Sequence, residues 1–380
     1  MPTWNAENPL KILIAPDSYK TTASATTAAA YLHNGALQGL ADAGMSNDAV
    51  EIVRQPLADG GEGTSILFGA QAYTVPTTTA TGGLSEATYF YDAANQTAYI
   101  DIAAASGIAQ VKDALKPLTA DTYGTGVLIA AAIAEGATDI VLGLGGSATI
   151  DGGTGILVAL GAQLRNAAGI PLAPGGGALE QLDTIDLTEL NTAVAKVRFH
   201  LLSDVTNPAT GPNGAAYIYG PQKGADAQAC AQLDAGLSKL CDITGVDPST
   251  PAFGAAGGAA ISISWLCSIF DPTGANFEIT PGAATLLSHL APEISPADAD
   301  LIMTGEGACD ATSFTGKVVG TLYEHKGAQT YLGIAAGKLA TDLKLPERTI
   351  GVELPTAGIQ EQLETAGAQL IAKFLAAYET

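Results

Sequence analysis

The sequence is poor in the residues that most often announce a chemistry. Cysteine occurs four times (Cys230, Cys241, Cys267, Cys309), never as a C-x-x-C pair. Histidine also occurs four times (His33, His200, His289, His325), scattered along the chain. Neither spacing fits a zinc site, and buried free thiols are the expected state of the cysteines. Basic residues are scarce: 16 Lys and Arg stand against 38 Asp and Glu, a net charge of −22. Such a chain repels nucleic acid and anionic membrane surfaces, and its basic residues form no patch, so neither partner is expected. No run of 18 apolar residues is present, which argues against a membrane-spanning helix. Met1–Leu10 has neither the basic nor the apolar region of a signal peptide, so a cytoplasmic protein is expected. Charged residues make up only 14% and hydrophobic ones 47%, which excludes charge-rich disorder. The 45 glycines fall in short clusters without the triplet period of collagen.

What is present is an alternation of strands and helices. At 380 residues, one very large domain or two ordinary ones are expected. Lys11–Ala15 reads as a strand buried on both faces. Thr21 to Leu40 places Ala28, Leu32, Ala36 and Leu40 on one helical face. Val50 to Leu57 is a second strand, and a helix is expected near Thr64 to Ala70. This βαβ texture means a parallel sheet. From about Ala72 the texture changes to strands at 73–81, 87–91 and 96–102 joined by polar turns. A helix is expected at 126–135, with strands at 139–142 and 197–202. The first texture returns in the strands 300–303, 331–335 and 349–352 and the helices 318–325 and 360–377. The reading is an α/β protein in which residues 1–75 and 280–380 form one doubly wound domain. Residues 76–279 form a second α/β domain inserted into it.

Ligands of open parallel sheets bind outside the carboxyl ends of the strands. Five small or polar clusters fall there: 16–20, 58–63, 143–155, 203–208 and 304–310. The longest carries six glycines with Ser147 and Thr149, a composition that lets backbone N–H groups approach a phosphate. A helix after Gly155 would add its N-terminal dipole. The alternative is a loop using glycine for tight packing. Three sharper motifs fail. Gly316-Lys317 and Gly337-Lys338 lack the rest of a P-loop, and Gly145–Thr149 lacks the last Gly of a nucleophile elbow. Gly143–Ala148 matches G-x-G-x-x-A, but the acid expected about 20 residues on is missing. Asp204, directly after a strand, is placed to accept a proton from a hydroxyl, or to cap the Asn207-Pro208 turn. Lys20 would hold phosphate charge or be a solvated lysine. Glu62, Asp151, Glu306 and Asp310 are candidate Mg²⁺ ligands, or helix N-terminal charges. Lys223, in Pro221–Gly224, would point into the cleft or sit in a turn.

At these residues a resemblance enters. Ala15–Lys20, Ala58–Thr64, Ala103–Gly107, Thr122–Gly126, Gly145–Thr149, Asp204–Pro208, Gly220–Ala225, Gly254–Gly258 and Thr304–Gly307 resemble, in order, motifs of the class I glycerate kinases. The resemblance implies ATP- and Mg²⁺-dependent phosphorylation of D-glycerate to 2-phosphoglycerate, on a flavodoxin-like domain interrupted by a second α/β domain. The active site is expected in the cleft between them. It implies Asp204 as catalytic base; Lys20 is the second catalytic candidate, from the residue reading above. Substrate contacts are expected from Ser18, Asp59, Gly60, Thr304, Glu306 and Asp310. Nucleotide contacts are expected from Gly145, Gly146, Ser147, Thr149, Asp151 and Gly152, with Asp151 and Glu306 the metal candidates. The chain departs from the family pattern at Ala308 (family Arg), Ile150 (Asn), Thr21 (Gly) and Lys338 (Ser). The loss of the family arginine to Ala308 motivates an alternative: a binding protein on the same fold that has lost turnover.

Overall fold

Leu10–Ile14, four of its five residues buried, forms β1, the strand from which the first sheet is built. The structure, a computed structural model, describes residues 4–19 and 22–378. It divides into two units, 1–59 with 281–380 and 60–280. The first boundary thus falls earlier than the expected position near 75, because residues 71–78 join the second unit's sheet.

After β1, helix α1 (Ala25–Asp42) begins where the Ser24 hydroxyl accepts from the Thr27 N–H, a side-chain cap that fixes the start four residues later than expected. Ala28, Leu32, Ala36 and Leu40 are buried as their spacing requires. β2 (Val50–Arg54) pairs parallel to β1.

The inserted unit follows. The helix expected at 64–70 is one 3₁₀ turn, Ser65–Phe68, stopped by Gly69 at φ 73°. β3 (Gln71–Thr78), β4 (Leu84–Asp92) and β5 (Thr97–Asp101) form an antiparallel meander. Short α2 (Ala103–Ser106), then α3 (Tyr123–Ala134), β6 (Asp139–Gly143) and α4 (Thr154–Ala159) come next. A small ribbon, β7 (Gln163–Arg165) with β8 (Thr184–Asp186), precedes β9 (Arg198–Leu202). The unit ends with α5 (Ala215–Tyr219), α6 (Ala227–Thr244), α7 (Ala259–Phe270) and β10 (Phe277–Thr280). Its main sheet runs β10-β9-β6-β5-β4-β3. The first four strands of that order are mutually parallel, so their carboxyl ends share one edge.

The chain then returns to the first unit with α8 (Gly282–Leu290), β11 (Leu301–Glu306), α9 (Val318–His325), β12 (Tyr331–Ala336), β13 (Thr349–Glu353) and α10 (Ile359–Tyr378). The sheet order is β13-β12-β11-β1-β2, all parallel. Counted within the unit this is 2-1-3-4-5, the flavodoxin-like order. The protein is a two-unit α/β fold, one unit inserted into a doubly wound one. Among the described residues no helix is long and apolar enough to cross a membrane.

Candidate active site

In the flavodoxin-like unit the order reverses between β1 and β11, and the crevice of such a sheet opens at their carboxyl ends. There the chain beyond β1 stays zipped to β11: Ala15 N–H donates to Met303 O (2.8 Å) and Asp17 N–H to Gly305 O (3.0 Å). The buried Thr304 hydroxyl donates to Ala15 O at 2.8 Å. It ties two strands together, so its expected role as a substrate contact does not fit. Asp17 and Ser18 are half-buried, and the Ser18 N–H donates to Asp17 Oδ1. Leu57 N–H bonds Pro16 O at 3.0 Å, which brings half-buried Asp59 to the same end. Tyr19 is buried; its hydroxyl donates to Ala335 O at 2.6 Å. Burial raises its pKa, with Glu306 and Asp17 adding to the effect. Lys20 lies outside the described residues.

Glu306 ends β11 half-buried, and its Oε1 is inaccessible and finds no hydrogen-bond partner among the described residues. Burial raises the carboxyl's pKa, opposed by a Ser313 hydrogen bond and Lys317; Asp310 and Asp59 raise it further. Asp310, exposed, instead caps the 3₁₀ turn 311–314 by accepting from the Thr312 N–H (2.8 Å) and hydroxyl (2.6 Å). These bonds hold its carboxyl below its usual range. β11 and β12 keep one register from Glu306–Ala336 to Cys309–Leu339. Exposed Ala308 therefore stands opposite exposed Lys338, about 5 Å across the ladder.

The inserted unit presents backbone where the first presents carboxylates. Asp101, the last residue of β5, is 6% exposed. It accepts from the N–H groups of Gly63 and Ser65, both at 2.9 Å. Burial pushes its pKa to about 6, against the pull of those bonds and with Glu62 adding to the rise. This pins the turn 60–63 against the end of β6. Gly145 N–H donates to Gly60 O at 3.0 Å. A Cβ on Gly145 would lie 2.5 Å from Gly61 Cα, and one on Gly60 2.8 Å from Leu202 O. Only glycine permits such backbone-on-backbone contact. Gly146, at φ 76°, is exposed at its tip. The N–H groups of Gly146 and Ser147 have no acceptor among the described residues.

Below this tip the polar side chains are buried. Lys223, 3% exposed, donates to Ser147 Oγ (2.9 Å) and Thr149 O (2.8 Å). Desolvation pushes its pKa down to about 7, with Asp151 pulling the other way. Thr149 is wholly buried and its hydroxyl has no partner among the described residues. Asp151 is wholly buried too. Its carboxylate accepts from the Thr122 N–H (2.9 Å) and hydroxyl (2.8 Å), and from the Gly155 (3.0 Å) and Gly153 (3.2 Å) N–H groups. Burial raises its pKa above the usual carboxylate range. The expectation that Asp151 contacts nucleotide or metal does not fit this site, because it fills the N-terminus of α4 that was expected to receive the ligand. Gly152 does not fit either: its Cβ would lie 2.4 Å from Leu240 Cδ2, so it is a packing glycine.

Asp204, half-buried, lies two residues beyond the end of β9. The Asn-Pro turn after it is held by Asn207. Its amide donates to Asn213 O (2.9 Å), its Oδ1 accepts from the Tyr219 hydroxyl (2.7 Å), and its carbonyl accepts from Gly254 N–H (2.8 Å). Sequence reasoning passed over Asp101, whose signal was a lone carboxylate in the apolar strand Tyr99–Ile102. Among the described residues no group of three or more His, Cys, Asp or Glu side chains is arranged to hold a metal ion.

The inserted unit thus offers a backbone turn with two N–H groups that find no acceptor among the described residues. The model of the glycerate kinase family matches residues 12–371. The chain belongs to the glycerate kinase family. It is 37% identical over 348 residues to the glycerate kinase of Bacillus subtilis (strain 168), covering 88% of this chain and 86% of that one. It is 38% identical over 319 residues to the glycerate 2-kinase of Escherichia coli (strain K12), covering 81% and 80%. A crystal structure from Salmonella typhimurium LT2, assigned as a glycerate kinase 2, superposes with TM-score 0.76 at 30% identity, covering 98% of this chain and 100% of that one. The glycerate kinase family member described here is therefore a kinase, a phosphotransferase enzyme.

Proposed function

We propose that the enzyme transfers the γ-phosphoryl group of ATP to D-glycerate, giving 2-phosphoglycerate and ADP. One observation carries the assignment of the nucleotide: two successive N–H groups, Gly146 and Ser147, stand without acceptors among the described residues on a turn where glycine packs on glycine. Such a nest takes a phosphate. In phosphoryl transfer, positioning and charge stabilisation dominate. The substrate hydroxyl oxygen bonds to the γ-phosphorus, the bond to the bridging oxygen breaks, and the hydroxyl proton passes to Asp204. Asp17, Ser18, Asp59 and Glu306 would orient the hydroxy acid through its hydroxyls. Of the carboxylates considered for Mg²⁺, Asp151 and Asp310 are taken up by hydrogen bonds, whereas Glu306 fits, because one of its oxygens is buried and finds no hydrogen-bond partner among the described residues; Mg²⁺ held there would offset phosphate charge. The names of the relatives support glycerate as the substrate.

The test is an ADP-release assay with D-glycerate, ATP and Mg²⁺, with enolase added but no mutase. Phosphoenolpyruvate formation is the expected result and identifies the 2-phosphate. ADP release without phosphoenolpyruvate overturns the position of transfer. No ADP release at millimolar substrate overturns the reaction and favours a binding protein that has lost turnover.

A further inference from the structure

The buried ammonium beneath the Gly146 turn is not used by the reaction as derived above, and its placement has a directional consequence. Lys223 donates to Ser147 Oγ and to Thr149 O. A hydroxyl oxygen that accepts from below leaves its own hydrogen to donate elsewhere, and the Ser147 hydroxyl finds no acceptor among the described residues. Just below, the buried Thr149 hydroxyl also lacks a partner among them. Three consecutive donors, the N–H groups of Gly146 and Ser147 and the Ser147 hydroxyl, thus lie over one ammonium without a counter-anion among them. Burying an ammonium whose acceptors are both neutral is costly unless an anion arrives.

We propose that Lys223 is the positioning residue of the phosphate site: it turns the Ser147 hydroxyl outward as a donor to the bound phosphate, and its charge offsets that phosphate from beneath. This rests on the reading of the Gly146 turn as the nucleotide site. The protonation behaviour agrees with it. Among the described residues, Asp151 is the one charged group found to act on Lys223, and its own carboxylate is taken up by Thr122, Gly153 and Gly155. Burial therefore leaves the lysine mostly neutral above pH of about 7. A phosphate above it favours the charged form, so binding should draw in a proton.

The experiment is isothermal titration of the full chain with Mg²⁺ and β,γ-methylene-ATP, in two buffers of different ionisation enthalpy, at pH 6 and pH 8. The parent is expected to take up about half to one proton at pH 8 and almost none at pH 6. Lys223→Met should abolish the uptake and weaken binding about tenfold, the loss of one charge-assisted hydrogen bond. The KM for D-glycerate should be unchanged in that variant. Lys223→Arg should recover affinity without the uptake, because arginine stays charged. Ser147→Ala should weaken binding about as much while keeping the uptake. It keeps the test decisive if Lys223→Met fails to fold. A parent that binds the analogue with no proton uptake at pH 8 overturns the proposal. So does a folded Lys223→Met that binds as the parent does, or a Ser147→Ala without effect. A parent that binds no analogue at all overturns instead the nucleotide reading of this turn.

Discussion

The two units end their parallel strands in opposite ways. In the flavodoxin-like unit the strand ends carry side chains: Asp17 and Ser18 beyond β1, Asp59 beyond β2, Glu306 at the end of β11. The glycine beyond Glu306 has room, since a Cβ on Gly307 would meet nothing within 4 Å, although one on Gly305 inside β11 would fall 2.0 Å from the Tyr19 hydroxyl. In the inserted unit the strand ends carry backbone. Gly60, Gly145 and Gly257 press on neighbouring main chain, and the polar groups behind them are buried. On the function proposed above, the first construction would supply carboxylates to orient a polyol and hold a cation. The second would supply N–H groups to an anion. Similar runs of Gly, Ala, Thr and Asp in the sequence thus give two constructions, and which one forms is decided by what packs beneath.

The largest effect expected is at the carboxylate that interrupts the backbone pattern of the inserted unit. Asp204→Asn keeps the shape but removes the proton acceptor. A fall in kcat of about two to four orders of magnitude is expected, with thermal midpoint and nucleotide affinity little changed. A kcat within a few-fold of the parent would end the base assignment.

The packing contrast itself is tested by a matched pair. Gly257 has φ 68°, and its Cβ would fall 2.0 Å from Thr149 O. Gly257→Ala should therefore cost about 3 kcal/mol or more, through backbone strain and overpacking together. Gly307→Ala, in open space, should stay within about 0.5 kcal/mol of the parent. Urea denaturation of both variants compares them; similar midpoints would dissolve the contrast.

Much of the scaffold is legible because buried parallel strands are short β-branched runs and their helices show a 3.6-residue period. The helix 318–325 matches its expected span to the residue, and β12, β13 and α10 match theirs to within one. Strand β11 runs three residues past its expected end, since Thr304, Gly305 and Glu306 are polar or small yet still pair with β12. The glycine loop is half legible. Its composition announces close backbone approach, but a glycine run reads the same whether the approaching group is a phosphate or another main chain. Gly146 lies at the surface and half-buried Gly145 presses on Gly61, whereas Asp151 and Gly152 face Thr122 and Leu240. Those partners come from distant segments that no local pattern announces. Lys223 is undecidable from sequence for the same reason: its burial depends on residues 74 and 76 positions away.

Glu306 sharpens the comparison from the carboxylate side. Burial and neighbouring acids raise its pKa, so its charged form is lost at a higher pH than for an ordinary glutamate. If it acts ionised, the acidic limb of kcat/KM should lie above the usual glutamate range, with activity falling as pH drops through it. Glu306→Gln should remove that limb and lower kcat/KM about tenfold to a hundredfold at neutral pH. An unchanged pH profile would remove Glu306 from the site.

Asp310 carries the smallest effect and separates a cap from a contact. Its carboxylate accepts from the Thr312 N–H and hydroxyl, while the Ser313 hydroxyl accepts from the Asp310 N–H at 3.2 Å. That reciprocal arrangement is a capping box, whose side chain asparagine replaces almost without loss and alanine does not. Asp310→Ala should therefore lower stability by about 1 kcal/mol, with Asp310→Asn close to the parent and the KM for D-glycerate unchanged in both. A substrate contact gives a different pattern, because removing the charge would raise KM in the asparagine variant as much as in the alanine one. The cap also has a sign in pH: the carboxyl lies below its usual range, so its charge stabilises the fold above the unfolded-state pKa, and that contribution fades as pH falls through the folded one. The gap between the parent and Asp310→Asn should accordingly close toward acid. A KM raised equally in both variants, with the stability gap indifferent to pH, would return Asp310 to the substrate site.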